Sequence, residues 1–251
     1  MVHLGLPENG SIFVVFRKPA LQRHLTSTSD PGIALEIAGR SSSGAQVHMW
    51  QQGPYILQTS AGRRLTLDAA ALPAAIPLTD PWEVRFAPGW GAPPSIVFEQ
   101  LLGWEKHPNQ AIKHFSGTAT YRQQFRLDAR QARHLVRLQL GEVKYIARVR
   151  VNGKDRGIVW TSPWTVDLSG MVREGDNDLE IDVTNLWVNR LIGDAGLPEN
   201  KRSTRTNILL QSGERKFKPY QGYSSQDPLV PSGLLGPVRI EFGEQREVSL
   251  L

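Results

Sequence analysis

The chain contains no cysteine, which excludes disulfide bonds, thiolate metal sites and a cysteine nucleophile. It also has no apolar run close to the roughly 20 residues that a bilayer-spanning helix needs, so we predict no contact with a membrane. The first residues, MVHLGLPENGSIFVVF, lack the basic region and the cleavage site of a secretory signal. From the chain as written we therefore expect a cytoplasmic protein that packing alone stabilises.

The two signs of charge are nearly balanced. The 29 lysine and arginine residues and 24 aspartate and glutamate residues give a net charge of +5. Such an excess suits an anionic partner such as nucleic acid or an acidic glycan. However, the basic residues are scattered, and their densest cluster, residues 199–205, contains no aromatic side chain on which a base could stack. A solvated surface explains this pattern better, and we predict no nucleic-acid partner.

Short runs of alternating apolar and polar residues dominate the chain and predict strands. Those in the first third cover residues 11–18, 32–39, 45–52, 54–60 and 63–69. A connection follows over residues 70–86, because Pro73, Pro77 and Pro81 each remove a backbone donor and exclude a continuous helix. More strands are predicted within residues 82–87, 117–128, 134–143, 145–160, 164–172, 177–185 and 236–242, and the strand-like pattern of residues 179–194 extends the sixth of these to Asp194.

The turns support an antiparallel arrangement. Asn152 and Gly153 separate two alternating runs, and this dipeptide favours a type I′ hairpin because both residues accept a positive φ cheaply. The regular spacing predicts an all-β fold, a β-sandwich or jelly roll over residues 81–243. A small antiparallel β-domain over residues 1–80 precedes it, and residues 244–251 form a C-terminal tail.

Several motifs give the second part of the chain a family resemblance. HFSGTATYRQQF (residues 114–125), VNGK (151–154), TNLWVNRLIGD (184–194) and PSGLLGPVRI (231–240) resemble the C-terminal galactose-binding-like β-sandwich of family 106 glycoside hydrolases, the α-L-rhamnosidase type. The sugar-binding domain of β-galactosidases and β-glucuronidases is similar. The resemblance implies a galactose-binding-like jelly roll. It also implies a carbohydrate partner, with a rhamnose-containing glycan as one candidate, and an upstream catalytic domain.

Enzymes of that type are several times longer and carry their catalytic carboxylates in a barrel domain without a counterpart here. The resemblance therefore implies a fragment, a truncated gene product or a stand-alone module. Because the first residues have the pattern of a domain interior and such relatives are typically exported, localisation stays open.

Catalytic and metal-binding chemistry have little support in the sequence. A glycosidase needs two carboxyl groups about 5 to 10 Å apart, and the fallback candidates are Glu99 and Glu105, which lie near Trp104. Glu180 and Asp182 alternate with apolar residues and are expected on the solvent face of a strand. The six histidines are dispersed, so we predict no metal centre and no cofactor. A structural calcium ion remains compatible with the fold.

Sugar binding is the better-supported chemistry, because it needs flat aromatic rings together with polar groups that replace water. The long loop after residue 186 supplies both. The predicted carbohydrate-binding residues are Trp187, Asn189, Arg190, Asp194, Arg205, Asn207 and Tyr220. For Asn189 and Arg190 a structural role in tying down the loop is an equal alternative. Trp160, by contrast, is expected in the core.

We therefore predict a non-catalytic carbohydrate-binding or scaffolding module of a rhamnosidase-type glycoside hydrolase. One alternative is a weak stand-alone glycoside or ester hydrolase with a pocket between the two β-domains. The other is a structural module without a ligand.

Overall fold

Strands are the main regular secondary structure of the described residues. The structure is a computed structural model, and it describes residues 13, 15, 23–29, 34–40, 44–69, 71–204 and 222–250. Its strands are β1 (Leu25–Thr28), β2 (Leu35–Arg40), β3 (Gly44–Met49), β4 (Gly53–Thr59), β5 (Arg64–Ala69), β6 (Ile76–Pro77), β7 (Trp82–Phe86), β8 (Ser95–Phe98), β9 (Thr118–Leu127), β10 (Leu135–Gln139), β11 (Glu142–Lys144), β12 (Ile146–Val151), β13 (Lys154–Val159), β14 (Thr165–Asp167), β15 (Gly175–Thr184), β16 (Gly233–Gly236) and β17 (Arg239–Ser249).

Helical structure is sparse in the described residues. The α-helices are α1 (Gln110–Lys113) and α2 (Val188–Ala195). Single 3-10 turns cover Trp104–Lys106, Gln131–Arg133 and Glu199–Lys201. No helix in this part of the chain has the length and apolarity needed to span a membrane.

Two six-stranded sheets enclose the main core, and every ladder between these strands is antiparallel. One sheet has the order β13-β12-β15-β9-β7-β8, and the other has the order β14-β10-β17-β3-β2 with β6 beside β17. Buried residues of both sheets, such as Val84, Ile181, Leu138 and Phe242, belong to one apolar cluster. The predicted all-β sandwich is thus confirmed.

The alternation of β15 and the turn after β12 agree with the predictions from the sequence. In β15, Leu179, Ile181 and Val183 are buried, whereas the alternating acidic residues face outward. Asn152 and Gly153 adopt φ values of 51° and 74°, as a type I′ turn between β12 and β13 requires.

A buried hydrogen bond orders the centre of the main core. The indole N–H of Trp104 donates to the Tyr121 hydroxyl at 2.6 Å, and that oxygen accepts from the Leu234 N–H at 3.2 Å. Burial raises the pKa of Tyr121, so its hydroxyl stays neutral. Gly233 lies so close to the Trp104 ring that an added Cβ would be 2.6 Å from Nε1, which explains the glycine.

Strand β17 connects the two parts of the chain. Its first half pairs with β10, and residues 244–249 pair with β3, so a single strand crosses the boundary predicted at residue 243. Arg137 of β10 strengthens this connection: it pairs with Glu241 at 2.8 Å and Glu36 at 3.2 Å and lies 4.3 Å from the centroid of the Trp50 ring. The division at residues 80 and 81 itself remains a prediction.

Candidate carbohydrate-binding rim

The candidate site lies at the end of β15, in the sheet β13-β12-β15-β9-β7-β8, which we call the first sheet. Asn185, the next residue, is buried and donates to the Phe115 carbonyl at 2.8 Å while its Oδ1 accepts from the Gly117 N–H at 3.0 Å. These bonds replace those of the ladder. The chain then turns away from the sheet and forms α2.

The prediction of a strand continuing to Asp194 is wrong, because Val188–Ala195 is helical. The buried side chains have helical spacing: Asn189 and Ile192 are three apart, and Arg190 and Asp194 are four apart. The sequence does carry a helical signal, because Val188, Leu191, Ile192 and Ala195 recur at the i, i+3, i+4 and i+7 spacing of an amphipathic helix.

Two tryptophans form the outer part of the site. Trp187 is 53% exposed, and its ring meets that of Trp90, in the loop between β7 and β8, edge-to-face with centroids 5.3 Å apart. Trp90 in turn packs against the main core. The exposed indole is therefore held in place by a second ring, an arrangement that reduces the entropy lost when a ligand stacks on it.

A buried ion pair lies in the same region. Arg190 Nη1 and Asp194 Oδ1 are 3.9 Å apart, and the side chains are only 9% and 3% exposed. Arg190 also donates to the Trp90 carbonyl at 2.6 Å, and Asp194 Oδ2 accepts from the Thr204 N–H at 2.6 Å. Burial lowers the pKa of Arg190, and the nearby Asp194 carboxylate partly opposes this shift.

The pair is not fully satisfied. Arg190 Nε and Asp194 Oδ1 are buried and have no hydrogen-bond partner among the described residues. A buried polar atom without a partner costs free energy, and a hydrogen-bonding group of a ligand would remove that cost. We call Trp90, Trp187, Arg190 and Asp194 the rim.

Asn189 has a different environment. It is fully buried, its Nδ2 donates to the Val230 carbonyl at 2.8 Å, and its Oδ1 accepts from the Val230 N–H at 2.8 Å. These contacts hold the returning chain before β16 in place, in agreement with the structural alternative. Sugar contact by Asn189 stays a prediction.

Comparison with known proteins agrees with this architecture. The family model described as "Glycosyl hydrolase 2 galactose-binding domain-like" matches residues 87–233, which is more than half of the chain. The chain belongs to this family. The match includes both tryptophans and the ion pair of the rim. The galactose-binding-like resemblance is confirmed at this level, and family 106 stays a prediction.

Two relatives are much longer than this galactose-binding-like chain. A Formosa agariphila protein named "Putative beta-glucuronidase" is 35% identical over 193 residues, which are 72% of this chain and 17% of the relative. The solved structure of a rhamnosidase from Novosphingobium sp. PP1Y matches with 27% identity and a TM-score of 0.57, over 89% of this chain and 25% of that one. The chain thus spans about a fifth of the length of these relatives.

The two fallback catalytic carboxylates have different environments in this glycosyl hydrolase 2-type domain. Glu99 is exposed. Glu105 is half-buried, and its Oε2 accepts from the Ser232 N–H at 3.0 Å. That bond ties the turn at Trp104 to the segment before β16, so a structural role accounts for Glu105. Within the described ranges, no group of three or more histidine, aspartate or glutamate residues could hold a metal ion.

The predicted site residues and those in the structure differ. Arg205, Asn207 and Tyr220 lie outside the described residues. Trp90 and Thr204 were not predicted, although Trp90 lies in a glycine- and proline-rich loop, PGWGAPP, of the kind that carries ligand sites. The core position predicted for Trp160 is wrong, because its side chain is 69% exposed.

Proposed function

We propose that this domain is a non-catalytic carbohydrate-binding and scaffolding module of a glycoside hydrolase of the α-L-rhamnosidase type, family 106. The observation that carries the proposal is the exposed ring of Trp187, held edge-to-face by Trp90, whose carbonyl accepts a hydrogen bond from the buried Arg190. A flat, fixed, exposed aromatic ring suits the C–H face of a pyranose.

The polar groups of the rim supply the second requirement of sugar recognition. Sugar hydroxyls both donate and accept hydrogen bonds, so they complement a guanidinium donor and a carboxylate acceptor that lack partners. Among the described residues, Arg190 Nε and Asp194 Oδ1 are such atoms. A sugar hydroxyl group that bonds to these atoms would remove the free-energy cost of leaving them unpaired.

The comparisons support the sugar class and the partner. The rhamnosidase from Novosphingobium sp. PP1Y is similar over most of the chain, which favours a rhamnose-containing glycan as the ligand. The chain spans only 25% of that enzyme and 17% of the Formosa agariphila relative. We therefore propose a catalytic domain as the structural partner of this module.

The carboxylates described on the first sheet argue against hydrolysis. A glycosidase acid needs a raised pKa. The hydrogen bonds from Arg148 and the Gly157 N–H lower the pKa of Asp155 to about 2. For Asp182, burial raises the pKa, but the hydrogen bonds from Arg150 and Thr120 more than offset it, and the net shift is downward.

Calorimetric titration with L-rhamnose and L-rhamnobiose tests the proposal. We expect binding that weakens about tenfold or more in Trp187→Ala, because the stacking surface is lost. Leu186→Ala is the matched control, since it removes a neighbouring exposed side chain that is not aromatic. Absence of binding to either sugar, or full affinity in a folded Trp187→Ala, would overturn the proposal.

Aryl glycosides and esters test the rival hydrolase. We expect no turnover of 4-nitrophenyl α-L-rhamnoside or 4-nitrophenyl acetate by this chain. Turnover that disappears in Glu99→Ala or Glu105→Ala would contradict the non-catalytic proposal. A chain that neither binds nor hydrolyses would be a purely structural module.

A further inference from the structure

The outer face of the sheet that contains β15 carries regular rows of charged, polar and apolar side chains. The outer face is the side of the sheet β13-β12-β15-β9-β7-β8 that points away from the main core. Ladder register aligns its side chains in rows across the strands. One row contains Ile146, Thr184 and Thr118; the next contains Ile158, Arg148, Asp182, Thr120, Arg85 and Ser95; the third contains Arg150, Glu180, Arg122, Glu83 and Val97.

The charges on this face compensate one another. The ion pairs are Arg148 with Asp155 at 2.7 Å, Arg150 with Glu180 at 2.9 Å and Asp182 at 2.6 Å, Arg122 with Glu180 at 2.5 Å, and Arg85 with Glu83 at 2.8 Å. Within the three rows and Asp155, four arginines therefore face four carboxylates, and Arg126, Asp176 and Asp178 on the same side of β9 and β15 add a net charge of −1. A face with so little net charge gives a polyanion no electrostatic advantage over an uncharged ligand.

Three exposed apolar side chains lie together at the β12–β13 edge of this face. Ile146 is 43% exposed, Ile158 is 62% exposed and Trp160 is 69% exposed. Ile158 pairs with Arg148, two residues from Ile146, so the two isoleucines are diagonal neighbours on the same face. Trp160 directly follows Val159, the last residue of β13, which pairs with Ala147, so the continued register places Trp160 opposite Ile146. We call these three residues the Trp160 patch.

The size of the Trp160 patch suits a saccharide better than a protein. A stable protein interface buries roughly 800 Å² on each partner, whereas even a wholly buried tryptophan contributes only about 150–250 Å². The adjoining Arg148–Asp155 pair is bidentate, at 3.2 and 2.7 Å, and the Gly157 N–H donates to Asp155 at 3.1 Å. These polar groups are already held in place beside the apolar patch, which reduces the entropy lost on binding.

We infer that the outer face carries a binding site for an uncharged oligosaccharide, with the Trp160 ring stacking on one pyranose. Trp160 is 69% exposed, so its indole N–H can donate to a sugar hydroxyl. Arg148 and Asp155 supply the neighbouring donor and acceptor. This site goes beyond the rim, because it uses a different strand pair and a different tryptophan.

Titration of the 15N-labelled chain tests this inference through its tryptophan indole N–H signals. The probes are the neutral cellotetraose, galactotetraose and rhamnotetraose, and the acidic tetragalacturonic acid. The Trp160 signal is assigned by its loss in Trp160→Phe. We expect it to move with at least one neutral probe, and we expect the affinity to fall about tenfold in Trp160→Ala. Trp160→Phe keeps an aromatic face and should retain part of the affinity.

Val97→Ala is the matched control, since Val97 is exposed on the opposite edge strand of the same face and should leave the affinity unchanged. The inference is overturned if no neutral probe moves the Trp160 signal, if Trp160→Ala binds as tightly as the parent chain, or if tetragalacturonic acid binds this patch more tightly. Self-association that depends on Trp160, measured by sedimentation, would instead identify a protein-docking surface.

The Trp160 and Trp187 signals appear in the same spectrum, so each of the two sites can fail alone. Movement of the Trp187 signal without the Trp160 signal would retain the proposed function and remove only the outer-face site. The reverse result would retain the outer-face site and remove the rim.

Discussion

The rim and the outer face each hold an arginine beside an aspartate, but the two pairs differ in burial and in distance. At the rim, Arg190 and Asp194 are 3.9 Å apart with side chains 9% and 3% exposed. On the outer face, Arg150 and Asp182 are 2.6 Å apart with side chains 24% and 20% exposed. The rim pair has therefore lost more water and gained less direct contact.

The two ion pairs also differ in how completely their arginines are hydrogen-bonded. All three side-chain nitrogens of Arg150 donate to Glu180 or Asp182, whereas Arg190 Nε has no partner among the described residues. A buried pair repays its desolvation only when its remaining polar atoms are satisfied. The comparison teaches that the outer-face pair is a surface network, whereas the rim pair is a costly feature that a ligand could explain.

Replacement of Arg190 should have the largest effect on stability. We expect Arg190→Met to lower the free energy of unfolding by about 3 kcal/mol, because it leaves the Asp194 carboxylate buried beside an apolar side chain. Urea denaturation measures the change. In the double variant Arg190→Met/Asp194→Asn, part of this loss should return, since the buried charge is gone. If Arg190→Met and Arg150→Met lowered the free energy of unfolding by the same amount, the proposed difference between the two pairs would be wrong.

Replacement of Arg150 should have a smaller effect. We expect Arg150→Met to cost about 1 kcal/mol or less, because the pair is partly solvated and the Glu180 carboxylate retains Arg122. The cost should shrink further near 1 M salt, where the Debye length is about 3 Å. Urea denaturation at low and high salt measures both effects. A large cost that does not depend on salt would mean that this network is as protected as the rim.

The smallest effect should be the acid dependence of Asp155. The hydrogen bond from Arg148 lowers its folded-state pKa to about 2, below the value of the unfolded chain. Its contribution to stability is therefore present above about pH 4 and is lost as the pH falls from 4 to 2. Unfolding midpoints measured across this range should show a shallower slope for Asp155→Asn. Identical slopes for the two proteins would contradict the assignment.

Much of the sandwich could be predicted because its signals are local. The alternation in β15 put Glu180 and Asp182 on the solvent side, as predicted, and Asn152-Gly153 formed the expected hairpin. Period-two patterning and turn chemistry depend only on neighbouring residues. Helix α2 was missed although its apolar residues have helical spacing, because no glycine or proline separates it from the alternating run of β15.

The rim itself needed long-range information. Arg190 and the Trp90 carbonyl that it contacts are 100 residues apart, and no spacing rule connects them. The exposure of Trp160 also depends on the tertiary structure. Large aromatic side chains are buried on average, but Trp160 directly follows an edge strand and its ring is exposed to solvent.

The amino-acid sequence by itself determined the hairpin at Asn152-Gly153 and the inward and outward faces of β15, because these follow from the backbone geometry of adjacent residues. Only the tertiary structure decided that Trp90 meets Trp187, that Arg190 and Asp194 are buried, and that β17 joins β10 to β3. Those contacts form when distant segments pack around shared cores, so the free energy that selects them depends on the whole fold.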